Sequence, residues 1–191
     1  YRPPQYRLVM LPMVVLRHSK TVNVGTFHAY RESHAGYYYG RRLLQRVMGR
    51  LHGRICVSTA AHELVNRYFP GEYRIIPNGV DVRTFGAADL QPIEQFNDGR
   101  PNILFLGRLD ERKGFVHLLS AYRLLRRDLP QARLIVAGGY TEEEVAPLRR
   151  QVAEQRIADV HFVGRVSDED KPRYYHTCHV FCAPSTGFES Q

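Results

Sequence analysis

The chain has 191 residues, 43% of them hydrophobic, so it can build one ordinary domain or two small ones, and global disorder is excluded. Its net charge of +8, from 27 Lys and Arg against 19 Asp and Glu, indicates either an anionic partner or a solvated basic surface. Its three cysteines form no C-x-x-C pair, which argues against a disulfide framework or a zinc site, and no apolar run approaches the roughly 20 residues of a membrane span.

Short β-branched runs alternate with helical patterns from the start of the chain. The first half predicts strands at 22–27, 54–58 and 72–76, a helix at 37–51, and a second helix that Ser58 or Thr59 caps. The pattern dissolves between 84 and 100, where proline, glycine and alanine favour a linker.

The second half repeats the alternation. It predicts strands at 102–106, 133–137, 159–163 and 179–183, with a helix that starts near Phe115 and is ended by Pro130, and further helices at 142–155 and 168–175. Strands separated by helices of this length predict right-handed βαβ units and parallel sheets. We therefore expect an α/β protein with two sheets, one on each side of the linker: a domain at 1–83, a linker at 84–100 and a domain at 101–191.

Ligands of open α/β sheets bind at the carboxyl ends of the strands, and glycine-bearing loops follow several of the predicted strands. In the loop 107–114, Gly107 permits a close backbone approach, while Arg108 and Lys113 flank a turn that opens a helix. Two cations at a helix N-terminus favour a diphosphate site. The alternative is a charged surface turn with an ion pair inside the helix.

Three further strand ends carry polar candidates. His28 follows the first strand and could hydrogen-bond a sugar hydroxyl or a phosphate, although nine histidines in the chain make one of them a weak signal. The loop after Val163 leads to Lys171, and the loop after Ala183 leads to Glu189, whose carboxylate could accept hydrogen bonds from sugar hydroxyls. The alternative for Glu189 is an acid that caps a following helix.

Four segments together resemble the successive signatures of the family-4 retaining glycosyltransferases. They are Gly-Thr-Phe-His at 25–28, Ile-Pro-Asn-Gly-Val-Asp at 76–81, Gly-Arg-Leu-Asp-Glu-Arg-Lys-Gly at 107–114 and Gly-Phe-Glu-Ser at 187–190. The resemblance runs from about residue 21 to the end, and its nearest branch is the one similar to phosphatidylinositol mannosyltransferases. It implies the GT-B fold, in which two Rossmann-like domains face each other across a cleft, with the acceptor side at 1–83 and the nucleotide-sugar side at 101–191.

The resemblance also implies roles for individual residues. Arg108 and Lys113 match the pair that holds the donor diphosphate, and Glu189 matches the first acid of a Glu-(any seven)-Glu motif that binds the donor sugar. His28 matches the active-site histidine beside the transferred sugar. Val166 and Lys171 match the slot for the nucleotide base. The implied catalytic residues are thus His28, Arg108, Lys113 and Glu189, and the implied donor-binding residues are Arg108, Lys113, Val166, Lys171 and Glu189.

Three departures from the family pattern stand out. The second acid of the Glu motif would lie beyond Gln191, and the first Rossmann strand with its glycine-rich loop is not found. We therefore expect both domains to be incomplete and this internal fragment to be inactive by itself. Relatives of the inositol-lipid branch carry a lysine five residues after the histidine, where this chain has Ser33, with Arg31 as a possible substitute.

The resulting expectation is a retaining transferase that moves a hexose, with mannose as the candidate, from a nucleoside diphosphate sugar to a lipid or glycan acceptor. No metal and no cofactor is expected, because Arg108 and Lys113 can neutralise the leaving diphosphate. One alternative is a nucleotide-sugar epimerase type of isomerase on the same fold. Another is a non-catalytic basic binding module. A nucleic-acid partner is not expected, because it would leave the strand-end loops unexplained.

The predicted helix at 37–51 is basic and amphipathic. Arg42, Arg46 and Arg50 recur four apart on one face, and Leu43, Leu44, Val47 and Leu51 line another. Such a helix can lie on an anionic lipid surface; the alternative is that its apolar face packs on the sheet and its arginines are solvated. We expect a cytoplasmic location, with peripheral attachment to the inner face of the membrane as a further hypothesis.

Overall fold

The computed structural model describes residues 13–28 and 35–186. These residues divide into two compact units, one ending at Gly79 and the other running from Val80 to Thr186. Each unit contains one sheet in which all described pairings are parallel. The prediction of an α/β protein with two parallel sheets is therefore confirmed.

The first unit has a sheet of three described strands in the order β1-β2-β3. The strands are β1 (Val24–Phe27), β2 (Gly53–Cys56) and β3 (Arg74–Ile75), and the helices are α1 (13–18 within the described residues), α2 (Ala35–Met48) and α3 (Thr59–Tyr68). Ser58 begins α3 as predicted, because its side chain accepts a hydrogen bond from the Ala61 N–H at 3.1 Å. Ala61, Leu64 and Val65, at helical spacing, bury one face of α3.

Helix α2 differs from its prediction in two respects. Leu44 packs against the core of the first unit, but Leu43 is 57% exposed instead of facing the sheet. Arg50 lies beyond the helix, and its guanidinium donates to the carbonyls of Leu16, at 2.9 Å, and Arg17. Arg50 therefore caps the C-terminus of α1, where a cation is favoured, while its side chain stays exposed.

The second unit has a four-stranded sheet in the order β6-β5-β4-β7. Its strands are β4 (Asn102–Leu106), β5 (Arg133–Ala137), β6 (Val160–Gly164) and β7 (Val180–Phe181), and its helices are α4 (Val82–Phe85), α5 (Phe115–Leu125), α6 (Glu142–Glu154) and α7 (Asp170–Thr177). The side chains of β4 and β5 alternate between two cores. Those of Ile103 and Phe105 pack with α5, and that of Leu104 packs with Tyr174 of α7. Helices thus cover both faces, which explains the continuous apolar runs of these strands.

The segment 84–100, predicted as a linker, packs on the second unit. Phe96, in a short 3-10 helix (Glu94–Phe96), is 4% exposed and joins the core that contains Leu104. The Ile93 N–H donates to the Thr177 side-chain oxygen at 2.8 Å, and the Phe85 ring meets the Tyr175 ring edge to face. The change from one unit to the other falls between Gly79 and Val80, four residues before the sequence-based boundary.

In both units, the residues that precede or begin two neighbouring strands are linked by the same pair of Asn–His hydrogen bonds. In the first, the Asn23 N–H donates to Nδ1 of His52 at 3.0 Å, and the His52 N–H donates to the Asn23 carbonyl. In the second, Asn102 and His179 exchange the same two bonds, at 3.1 and 2.8 Å. Because Nδ1 accepts a hydrogen bond in both rings, the ring proton of each neutral imidazole is on Nε2.

None of the helices within 13–28 and 35–186 combines the length and the apolar run that crossing a membrane requires. Cys56, Cys178 and Cys182 are free thiols, in agreement with the absence of a disulfide framework.

Candidate functional site

The order of the second sheet creates a switch point. The chain moves outward from β4 to β5 and β6, and then returns to place β7 on the other side of β4. The loops that follow β4 and β7 therefore diverge at the carboxyl edge of the sheet, where open α/β sheets bind their ligands. The predicted diphosphate loop, 107–114, is the loop that follows β4.

The β4 loop holds its cations around one carboxylate. Oδ2 of Asp110 is 3.1 Å from Nη2 of Arg108 and 3.2 Å from Nη2 of Arg112. The Arg108 side chain remains 62% exposed, so its other donors face solvent. Lys113 is half-buried at the end of a 3-10 turn, Glu111–Lys113. The loop thus presents one oriented guanidinium, with an ammonium five residues along the chain.

The loop after β7 is fastened to the β4 loop. The Thr186 N–H donates to the Arg112 carbonyl at 2.9 Å, and the Pro184 carbonyl lies against the α-carbon of Gly114. Gly114 has a left-handed φ of 68°, a conformation that glycine adopts at the least steric cost. The chain that leads toward Glu189 therefore leaves the sheet beside Arg108 and Lys113, although Glu189 itself lies outside the described residues.

Sequence reasoning missed the loop after β5, residues 138–140. Gly138, at a φ of 155°, lies so close to the Gly107 carbonyl that a Cβ would overlap it, and its N–H donates to the Gly164 carbonyl at 2.8 Å. This loop therefore joins the β4 and β6 loops. The signal was present: Gly-Gly after a buried strand is the same pattern that identified the loops after β4 and β6.

Val166 and Lys171 follow β6, two strands from β4. Strands lie about 4.8 Å apart, which puts the β6 and β4 loops roughly 10 Å from each other along the edge of the sheet. Val166 is half-buried against the core that contains Leu104, and Lys171 forms an ion pair with Asp168. Both residues that match the nucleotide-base slot therefore stand on the same edge as Arg108 and Lys113.

Asp168 and Asp170 form the one Asp-x-Asp sequence of the chain, at the start of α7. Lys171 pairs with Asp168, and this holds the pKa of that carboxyl below its usual range, while Asp170 pairs with Arg173 at 2.9 Å. Each carboxylate thus has a cation partner. Within the part of the chain that the structure describes, no group of three or more His, Cys, Asp or Glu side chains could hold a metal ion. That no metal takes part stays a prediction.

His28 is exposed directly after β1, at the carboxyl edge of the first sheet. It stands on a different unit from Arg108, Lys113, Val166 and Lys171. Glu189, Ser33 and Arg31 lie outside the described residues. The structure thus brings together four of the six predicted residues on one edge of one sheet.

Two family models match the chain. The model described as "Glycosyl transferases group 1" matches residues 88–190, and the model described as "Glycosyltransferase Family 4" matches residues 5–84.

Curated relatives resemble nearly the whole chain. A phosphatidyl-myo-inositol mannosyltransferase from Mycolicibacterium smegmatis is 32% identical over 94% of this chain and 45% of its own length. An alpha-monoglucosyldiacylglycerol synthase from Streptococcus pneumoniae is 26% identical over 95% of this chain and 45% of its own length. The chain therefore spans about half the length of the curated relatives it matches.

Solved structures share the fold. A glycosyltransferase from Rickettsia africae superposes with a TM-score of 0.70 at 17% identity, over 97% of this chain and 50% of that one. A UDP-forming alpha,alpha-trehalose-phosphate synthase from Burkholderia xenovorans gives a TM-score of 0.70 at 15% identity, over 92% and 51%. At such identities the likeness shows the fold alone, and it confirms the prediction of the GT-B class.

Proposed function

Because the chain belongs to the glycosyl transferases group 1 family, we propose that the whole protein is a retaining glycosyltransferase that uses a nucleoside diphosphate sugar. The observation that carries this proposal is the pair Arg108 and Lys113 in the loop at the switch point of the second sheet. The donor sugar is a hexose, and the name of the mannosyltransferase relatives supports mannose.

Transfer breaks the bond between the anomeric carbon and the diphosphate oxygen, so negative charge accumulates on the leaving diphosphate. Arg108 can meet that charge with the exposed edge of its guanidinium, because Asp110 holds the other edge. Lys113 adds a second positive charge on the same loop. A fixed pair of cations stabilises the leaving group without a metal, which supports the proposal that no metal and no cofactor is needed.

Two residues have proposed roles at the sugar. Glu189 accepts hydrogen bonds from the donor sugar hydroxyls. This role is supported by the hydrogen bond between Thr186 and Arg112, because it keeps the residues that precede Glu189 next to the diphosphate site. His28, exposed at the end of β1, contacts the transferred sugar. Val166 and Lys171, on the β6 side of the edge, hold the nucleotide base.

The acceptor is a lipid or a glycan. The relatives' names, phosphatidyl-myo-inositol mannosyltransferase and alpha-monoglucosyldiacylglycerol synthase, support a lipid. Their names also favour group transfer over the isomerase alternative.

A second observation supports attachment to an anionic membrane surface. Residues 1–79 contain 12 Lys and Arg against 3 Asp and Glu, whereas residues 80–186 contain 15 of each. The first unit therefore carries the excess charge.

A groove of about 480 Å³ lies between α1 and α2. It is lined by apolar and basic side chains, which include Leu16, Leu43 and Val47 together with Arg17, Arg46 and Arg50. Arg41, Arg42 and Arg46 have no carboxylate partner among the described residues, and Tyr38 and Tyr39 beside them are 68% and 85% exposed. Exposed cations, aromatic rings and an apolar groove are the features of a surface that lies on anionic lipid, and they support the proposal of a cytoplasmic enzyme attached to the inner face of the membrane.

The test of the activity uses the full-length protein with GDP-mannose or another labelled nucleoside diphosphate hexose and a phosphatidylinositol acceptor. We expect release of the nucleoside diphosphate and a labelled glycolipid whose anomeric configuration, read by NMR, is that of the donor. Conversion of the donor to its epimer with no transfer would establish the isomerase alternative instead.

A further inference from the structure

Tyr140 connects two strand-end loops through its hydroxyl. The oxygen accepts a hydrogen bond from the Gly164 N–H at 2.7 Å and donates to the Val136 carbonyl at 3.3 Å. Tyr140 belongs to the loop after β5, and Gly164 ends β6. The phenol therefore has both of its hydrogen-bonding functions occupied, and burial raises its pKa above the ordinary value, so the hydroxyl stays protonated.

Gly164 needs this partner because the β5–β6 ladder is irregular there. Val136 pairs with Phe162, but Ala137 pairs with Gly164, so Val163 is an extra residue on β6. Such a bulge takes a backbone N–H out of the regular ladder and redirects the chain that follows. Gly164 then turns with a φ of 78°. Its carbonyl accepts from the Gly138 N–H, and its N–H donates to Tyr140.

We infer that Tyr140 is a positioning residue that holds the turn at 164–166 in place for the nucleoside half of the donor. The two bonds on Gly164 fix where the chain leaves β6 and hence where Val166 lies. The β4 loop, with Arg108 and Lys113, is fixed by other contacts: Gly107 against Gly138, and Thr186 on Arg112. Loss of the Tyr140 hydroxyl therefore acts on the β6 turn and spares the diphosphate loop. The inference rests on the proposed function.

The test compares ligands that reach different parts of the edge. Inorganic pyrophosphate contacts only the cations of the β4 loop, whereas GDP and UDP also contact the β6 turn. In the full-length protein, Tyr140→Phe removes the hydroxyl and keeps the ring. By calorimetry we expect it to weaken whichever of GDP and UDP the wild type binds by about three- to tenfold, the cost of one hydrogen bond. We expect pyrophosphate binding to change by less than about twofold.

Tyr122→Phe is the matched control. The Tyr122 hydroxyl also bonds to backbone, lying 2.9 Å from the Ala132 carbonyl and 3.1 Å from the Ala158 and Asp159 carbonyls, but at the opposite end of the same sheet. Its loss lowers the melting temperature and leaves the ratio of nucleotide to pyrophosphate affinity unchanged.

Four outcomes overturn the inference. Wild-type affinity of Tyr140→Phe for the nucleotide would show that the turn is held without the hydroxyl. Equal weakening of nucleotide and pyrophosphate, or the same ratio change in Tyr122→Phe, would show a general loosening of the unit. In these three cases the proposed function stands. A wild-type protein that binds neither GDP, UDP nor pyrophosphate would overturn the proposed function, and this inference with it.

Discussion

The Pro184 carbonyl oxygen lies in the space that a Cβ atom on Gly114 would fill. Gly114 combines this approach with a left-handed backbone, and two residues away the Arg112 carbonyl accepts from the Thr186 N–H. The strand-end loops of β4 and β7 are thus joined by backbone contacts, which depend little on the identity of the neighbouring side chains. A substitution at Gly114 tests these contacts between the two loops directly.

Gly114→Ala is expected to lower the free energy of unfolding by about 2 kcal/mol or more, since it adds left-handed strain to a steric overlap. The measurement is denaturant unfolding of the full-length protein. Gly139→Ala is the control: no atom lies within 4 Å of a Cβ at that position. Equal denaturant midpoints of unfolding for the two variants would show that the close contact between Gly114 and Pro184 does not constrain the loops.

Arg108→Ala and Lys113→Ala are each expected to reduce kcat/KM for the donor by about 30-fold to 1000-fold, equivalent to roughly 2–4 kcal/mol at the transition state. Arg112→Ala, which removes the other cation on Asp110, is the matched control and should have a much smaller effect. Near-normal turnover in both test variants would remove the diphosphate assignment.

Glu189→Gln is expected to reduce turnover while the cooperative thermal transition stays at the wild-type temperature. The reason is that the sequence predicts a loop for Glu189, and an acid on a loop contributes to ligand binding and little to the core. Activity with the donor and thermal unfolding are measured on the same preparation. A variant that loses its cooperative transition would identify Glu189 as structural.

The ion pairs of Asp159 lead us to expect that the free energy of unfolding decreases at acid pH. Burial alone would raise the pKa of its carboxyl, but Arg126, with Arg100 at 2.9 Å, lowers it below the ordinary value. The stabilisation is therefore present above about pH 3.9, the unfolded value, and is lost as the pH falls through the lower folded value. Asp159→Asn, which tolerates the left-handed φ of 58° at this position, should be less stable than wild type near neutral pH.

The unfolding free energies of the two proteins are measured by denaturant titration from neutral pH downward. The gap between them should narrow as the pH falls below about 4. A gap that stays constant over this range would show that the ion pairs do not contribute to the acid transition.

Arg42→Glu combined with Arg46→Glu is expected to abolish sedimentation of the full-length protein with anionic vesicles at low salt. Wild type should bind anionic but not neutral vesicles and dissociate on addition of salt, because each exposed cation contributes about 1 kcal/mol near such a surface. Arg123→Glu with Arg127→Glu makes the same charge change on the electroneutral second unit and should still bind. Equal recovery of wild type in the supernatant with every lipid would favour a soluble acceptor.

The sequence was sufficient where local pattern and tertiary environment agree. Strands β4 and β5 have the predicted bounds, and helix α5 starts at the predicted Phe115, since their apolar periodicity is the same periodicity that fills the cores on both faces of the sheet. The sequence predicts a linker at 84–100 because proline, glycine and alanine interrupt the apolar pattern there and leave Ile93 and Phe96 isolated. Their burial depends on Thr177 and the core around Leu104, far away in the chain.

At the candidate site, too, local patterns in the sequence predict some features, whereas contacts between distant residues determine others. Glycine after a buried strand identified the loops with Arg108 and Val166, because strand-end position follows from sequence order alone. The hydroxyl of Tyr140 acts across to Gly164, 24 residues further on, and no local pattern encodes that contact. The contact of Arg50 with α1 escapes the sequence for the same reason: its carbonyl partners are 33 and 34 residues earlier in the chain.

The return of β7 to the side of β4 also dictates an order of events during synthesis. Strand β4 ends at Leu106, yet its neighbour β7 starts at Val180, so one edge of a central strand that is apolar from Ile103 onward stays open until some 75 further residues have left the ribosome. An open apolar edge is a template for pairing with other chains. Chains truncated before Val180 should therefore aggregate more readily than longer ones, because β7 is then absent and cannot pair with β4.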